Sequence, residues 1–251
     1  MSSFAISLIV FAFVFGGALF GMFLRSVLPE HHLSDSSKDV VKLGMGLVAT
    51  MSALVLSLLI SSAKNSFDAQ SAEVTEASAR IILLDRTLAL YGPETKEVRG
   101  LLRSSIANTF ERLWPKDGKG MSGLDEPSLG MESLYLEVQR LSPKSDSQRA
   151  IQMQALGMLV ALGQMRWLMF EQQSTSISMP LLVVLVSWVT TLSISFGIFA
   201  PYNGTVIASL LVTSLSVAAA IFLILEMYKP WGGLIHLSSA PMRVALAHLG
   251  Q

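Results

Sequence analysis

Few residues in this sequence have the types and spacings that chemistry demands. Ser61-Ser62-Ala63-Lys64 fits the loose Ser-x-x-Lys pattern, in which a lysine activates a serine for acyl transfer, but the companion motifs of such enzymes are missing. The tetrapeptide stands where an apolar run ends, so it reads better as an anchor at a membrane surface. His31 and His32 are neighbours in a polar stretch that begins at Glu30. Adjacent positions on a loop rarely converge on one metal ion, so a solvated loop is the preferred reading and no metal site is expected. Asp85 and Arg86, with Glu94, Glu97 and Arg99, gather opposite charges around Tyr91-Gly92-Pro93-Glu94. Charges at such a corner most often form solvated pairs, with a binding site as the lesser alternative. Glu226 and Lys229 close the last apolar run, either as an interfacial salt bridge or as the mouth of an ion route.

The absences narrow the choice further. No P-loop, His-Glu-x-x-His, Gly-x-Ser-x-Gly or dinucleotide fingerprint occurs. Without cysteine there is no disulfide, thiol nucleophile, thiolate zinc site or cysteine-held iron–sulfur cluster. An enzyme is not expected, and neither is a cofactor. The 18 Lys and Arg balance the 18 Asp and Glu, so nothing in the overall charge points to nucleic acid.

The elements that would carry these groups follow from hydropathy. Apolar residues make up 51% of the chain and charged ones only 14%, against about 25% in ordinary soluble domains. Four runs free of charge, 4–24, 43–63, 180–200 and 205–225, are each long enough to cross a hydrocarbon core of about 30 Å as a helix. The first lacks a basic lead and a small-x-small cleavage site, and is therefore expected to be a span rather than a removed signal. Most of the charge lies between them: 13 of the 18 basic residues fall within 64–166 and 14 of the 18 acidic ones within 68–171. The expected fold is an all-α membrane protein with four transmembrane helices and a helical polar domain between spans two and three. The divisions are 1–63, 64–179, 180–227 and a tail, 228–251. An even number of spans puts the amino terminus, the polar domain and the tail on one side. Basic residues near the span ends are balanced and leave the orientation open.

Within the second span Thr50, Ala53, Ser57, Ser61 and Lys64 recur every three or four residues, stacking small and polar groups on one face. Two readings stand. The face is a close helix–helix seam, which is preferred on the residues alone, or it lines a pore whose hydroxyls replace part of an ion's hydration. No Gly or Pro interrupts the chain from 63 to 90, so this helix should run out of the membrane until Gly92 and Pro93 stop it and Pro93 opens the next. Further helices are expected over 94–113, 131–141 and from Ser142-Pro143 to about 172, with a loop at 115–130 and an amphipathic helix at 242–249. Pro201-Tyr202-Asn203-Gly204 folds the last two spans into a hairpin.

Several longer strings stand out: Gly46-Leu47-Val48-Ala49-Thr50, Leu84-Asp85-Arg86 with Tyr91-Gly92-Pro93-Glu94, Phe196-Gly197-Ile198-Phe199-Ala200-Pro201-Tyr202-Asn203, and Phe222-Leu223-Ile224-Leu225-Glu226 with Ser238-Ser239-Ala240-Pro241. Together they resemble the bacterial bestrophin-like membrane protein family, whose function is unknown. Tyr228-Lys229-Pro230-Trp231 departs from the family pattern, where an acidic residue is expected near Tyr228. The family name implies likeness to bestrophins, pentameric anion channels with four spans, intracellular termini and a pore lined by the second span. The resemblance thus implies an inner-membrane homo-oligomer conducting small ions, with Thr50, Ala53, Ser57, Ser61 and Lys64 along the pore. The bestrophin neck and acidic calcium clasp have no counterpart here, so calcium gating is not implied. The rival expectation is a non-conducting sensor or scaffold whose polar helices bind a protein.

Overall fold

The computed structural model describes residues 2–29, 35–115, 130–172 and 177–251; His31, His32 and most of the 115–130 stretch lie outside them. The helices are α1 (Ser3–Val27), α2 (Asp35–Tyr91), α3 (Lys96–Leu113), α4 (Gly130–Arg140), α5 (Asp146–Gln172), α6 (Met179–Phe199), α7 (Gly204–Met227) and α8 (Ala240–His248). No strand occurs among the described residues. Four helices, α1, α2, α6 and α7, are long and apolar enough to span a membrane. The chain divides into two compact units, Met1–Asn65 with Ser176–Tyr228, and Ser66–Thr175 with Lys229–Gln251. The tail therefore falls in the same unit as the central polar segment.

In the first unit, α1 and α6 meet backbone to backbone. A Cβ on Gly197 would sit 3.0 Å from the Gly21 Cα, and one on Gly21 would land on the Ile194 carbonyl oxygen. Gly17, one turn before Gly21, would bring its own Cβ to 3.1 Å from Thr190 Cγ2. Small residues four apart allow such an approach where lipid supplies no hydrophobic drive for helices to associate. Below this crossing Val10, Val14, Leu185, Ile221 and Ile224 form a side-chain core with Leu59 and Ala63 of α2. Hydroxyls of the spans mostly turn back on their own helices: Thr191, Ser195, Thr213, Ser214 and Ser216 each donate to the carbonyl four residues earlier. At the α6–α7 turn the Asn203 side chain caps α7 by accepting the Val206 N–H at 2.8 Å, and Arg25 Nη1 donates to the Ala200 carbonyl.

The second unit has a different core. Ile81, Leu84 and Leu88 of α2 pack with Val98, Leu102 and Ile106 of α3, Leu134 and Val138 of α4, Leu159 of α5, and Met242 and Leu249 from the tail. α2 stops at Tyr91 because Gly92 adopts φ 134°, a region that favours glycine. Pro93 opens a 3₁₀ turn, Pro93–Thr95, rather than α3 itself. The Thr95 hydroxyl secures that turn, 2.6 Å from the Leu88 carbonyl oxygen and 2.8 Å from that of Gly92. The start of α5 also differs from expectation. Ser142-Pro143 stays outside the helix, and Ser145 Oγ accepts the Gln148 N–H at 3.2 Å just before Asp146, so the working cap lies three residues further on.

Candidate functional site

The hydroxylated stripe of α2 lies on a free surface. Ser52, Leu59 and Ala63 are the buried positions of the apolar stretch, whereas Thr50, Ala53, Ser57, Ser61 and Lys64 are all exposed. With 3.6 residues per turn the two sets fall on roughly opposite sides of the helix. The stripe is therefore no seam with the other spans of the same chain, and the packing account within one chain does not hold. Its hydroxyls are also unequal. Thr50 Oγ1 donates to the Gly46 carbonyl at 2.9 Å, while Ser57 and Ser61 make no side-chain hydrogen bond among the described residues. Their O–H donors remain open to whatever passes that face. Ser62, beside them, shares a 2.9 Å hydrogen bond with Tyr228 OH.

The charged corner in the second unit is built from three separate segments. Asp85 is fully buried, not solvated, and its partner is Arg99 rather than Arg86. Arg99 donates from Nε and Nη2 to the two carboxylate oxygens, each at 2.8 Å. The Gly250 N–H adds a bond of 3.2 Å to Oδ2, and Arg99 Nη2 reaches the Gln251 carbonyl at 2.9 Å. Burial alone would push the Asp85 carboxyl up, but the bonds from Arg99 and Gly250 outweigh it and hold the group below the usual carboxylate range. Both oxygens are engaged, so the arrangement fastens the tail to α2 and α3. Around the turn, Gln148 Nε2 donates to the Tyr91 carbonyl at 3.0 Å, and Lys144 Nζ pairs with exposed Glu94 at 3.0 Å. Burial of the Tyr91 ring pushes its phenol upward. Arg86 is exposed, and its charge adds to the lowering of the Asp85 carboxyl.

No group of three or more His, Asp or Glu side chains able to hold a metal occurs among the described residues. The family model for the bestrophin-like domain matches residues 12–242. The chain belongs to the bestrophin-like family. No curated protein and no solved structure matches it.

Membership accounts for the ordered strings of the sequence, and the structure gives several of their residues a physical task. In this bestrophin-like chain Asp85, Tyr91, Gly92, Pro93 and Glu94 belong to the fastened corner, and Gly197 to the α1–α6 crossing. Glu226 is buried at the end of α7. Three glycines escaped the sequence reading. Gly250 meets Asp85 across 165 positions, a pairing no local pattern reveals. Gly17 and Gly21 did carry a signal, the four-residue spacing of glycines in a span.

Proposed function

We propose that this bestrophin-like membrane protein is the subunit of an oligomeric ion channel in which the apolar stretch of α2 lines the pore. Thr50, Ala53, Ser57 and Ser61 face the ions and Lys64 stands at the end of the stretch. Five copies, cytoplasmic termini and a preference for anions come from the likeness of the family to bestrophins. The observation that carries the reading is the free face of α2, with the Ser57 and Ser61 donors unspent. An exposed hydroxyl row is costly against lipid alone but suits a water-filled path, where O–H groups replace part of an ion's hydration shell. No covalent chemistry is needed on this reading. Placement in the cell's inner membrane, with termini and polar unit on the cytoplasmic side, belongs to the same proposal.

The test is reconstitution of the full chain into liposomes with recording of ionic current. Wild-type protein should conduct, and Ser57→Trp should cut the single-channel conductance severely without changing the oligomer. A silent wild-type protein, or unchanged conductance after Ser57→Trp, overturns the pore. A second reading, a membrane scaffold, draws on α5, where Met153, Val160 and Trp167 are exposed at seven-residue spacing and offer a helix-sized apolar seam to a partner. A protein that forms no ring favours that reading.

A further inference from the structure

We propose that a cleft inside the first unit, between α2 and the α6–α7 hairpin, binds a phospholipid by one acyl chain, with the lipid phosphate at Lys42 and Arg25. Such a site holds whether or not the protein conducts. On α2 the side turned to the other spans follows one stripe, Lys42, Met45, Ala49, Ser52, Leu59 and Ala63, at spacings of three, four and seven. At one end of the stripe Leu59 and Ala63 are buried in the core with Leu182, Leu185, Ile221 and Ile224. At the other end the same stripe comes free: Met45 is half-buried, and Ala49 and Lys42 are exposed. There α2 diverges from the hairpin and leaves a cleft of 650 Å³. That volume lies within the range of about 300–1,000 Å³ that ligand-sized clefts occupy.

The length and lining of the cleft select its occupant. Its walls run from Val189 to Ala200 on α6 and from Val206 to Val217 on α7. At 1.5 Å per residue each wall is about 17 Å long, close to half of a hydrocarbon core of about 30 Å. One acyl chain of one leaflet fills that depth. The hydroxyls along the walls do not call for a polar ligand, because Ser195, Thr213 and Ser214 each donate to the carbonyl four residues earlier. What they leave is a lining of apolar side chains such as Leu192, Phe196 and Leu210. Ala49 on one wall and Ser209 and Thr213 on the other are exposed, so the cleft opens to the medium around the spans. Beside helices this long and apolar, that medium is lipid. The mouth is basic: Lys42 lines it, and Arg25 donates to the carbonyl of Ala200, another lining residue. Asp39 stands 3.8 Å from Lys42, an exposed pair that a phosphodiester oxygen can replace at little cost.

The experiment is native mass spectrometry of the full chain in mild detergent, incubated with palmitoyl-oleoyl phosphatidylglycerol. Wild-type protein should retain one lipid per chain. Ala49→Trp fills the cleft from α2 and should lower the retained fraction about tenfold. Ser209→Trp fills it from α7 and should do the same, which keeps the test decisive if either variant fails to fold. Leu47→Trp, at an exposed position of α2 outside the lining, should retain lipid as wild type does. Lys42→Gln should weaken retention of phosphatidylglycerol and leave that of a diacylglycerol with the same chains unchanged; an equal effect on both lipids would remove Lys42 as the phosphate ligand. Wild-type protein without lipid, or full retention in both tryptophan variants, overturns the site. A change of oligomer mass in Ala49→Trp with the lipid still bound would show that a second copy fills the cleft, and the proposal falls. Failure to conduct ions in liposomes would overturn the pore and leave the lipid result standing.

Discussion

The two units are held together by opposite means. In the membrane unit the decisive contact is made by atoms that are missing: Gly17, Gly21 and Gly197 carry no Cβ, and two backbones close the gap. In the polar unit the decisive contact is made by a charge, the carboxylate of Asp85, taken out of water and bound on both oxygens. The contrast follows from solvent. Water drives apolar side chains of the polar unit together, and that core can shelter one fully satisfied ion pair. Lipid rewards no such burial, so the spans associate through close fit.

The contrast can be broken most severely at the glycine crossing. Gly21→Val inserts three carbons where the Ile194 carbonyl already stands, and the side that must yield is backbone. A loss of more than about 3 kcal/mol is expected, read as loss of the folded species in detergent titrations. Gly16→Ala is the matched control, because nothing lies within 4 Å of the Cβ it would add. Its unfolding midpoint should stay put; an equal loss in both variants would show that the crossing itself is unimportant.

Next in size is the buried pair. Asp85→Ala strands Arg99 and frees the Gly250 N–H, at a cost of about 3 kcal/mol in urea unfolding followed by circular dichroism. The same pair predicts an acid limit. Because the folded-state pKa of Asp85 is lowered, its stabilisation is fully present above the ordinary carboxylate value of about 3.9 and is lost as pH falls through the lower folded value. The Asp85→Ala variant should lack that part of the acid transition; an unchanged acid profile would remove Asp85 as its source. The smallest effect belongs to Glu94→Gln, which removes one charge from the exposed pair with Lys144, and its melting midpoint should match wild type within error.

Much of this architecture is legible in one dimension. The four apolar runs, the continuation of span two to Tyr91, and the stop at Gly92-Pro93 are local features, set by charge exclusion and by the geometry of Gly and Pro. Helix starts are less legible. Pro143 satisfies the rule for a first helical position, yet Ser145 supplies the hydrogen bond, and the hydrogen bond decides. The corner is legible as residues but not as partners. Asp85 has Arg86 beside it, and only packing tells that the carboxylate turns inward to Arg99 while Arg86 turns out. The α2 stripe is visible as a pattern; that its face is uncovered depends on where the other spans lie.

One feature of the polar unit bears on how the chain is made. Residues 66–175 and 229–251 form one unit, but the α6–α7 hairpin is synthesised between them. Asp85 leaves the ribosome 165 residues before the Gly250 N–H that completes its bonding. At roughly 5–20 residues per second that delay is on the order of ten seconds. Through that interval two spans must enter the bilayer while Leu84, Leu102 and Val138 wait for Met242 and Leu249. Membrane insertion of the hairpin thereby becomes a step on the folding route of the water-facing unit, and a stalled or misinserted hairpin leaves an open apolar core for the cell's quality control to find.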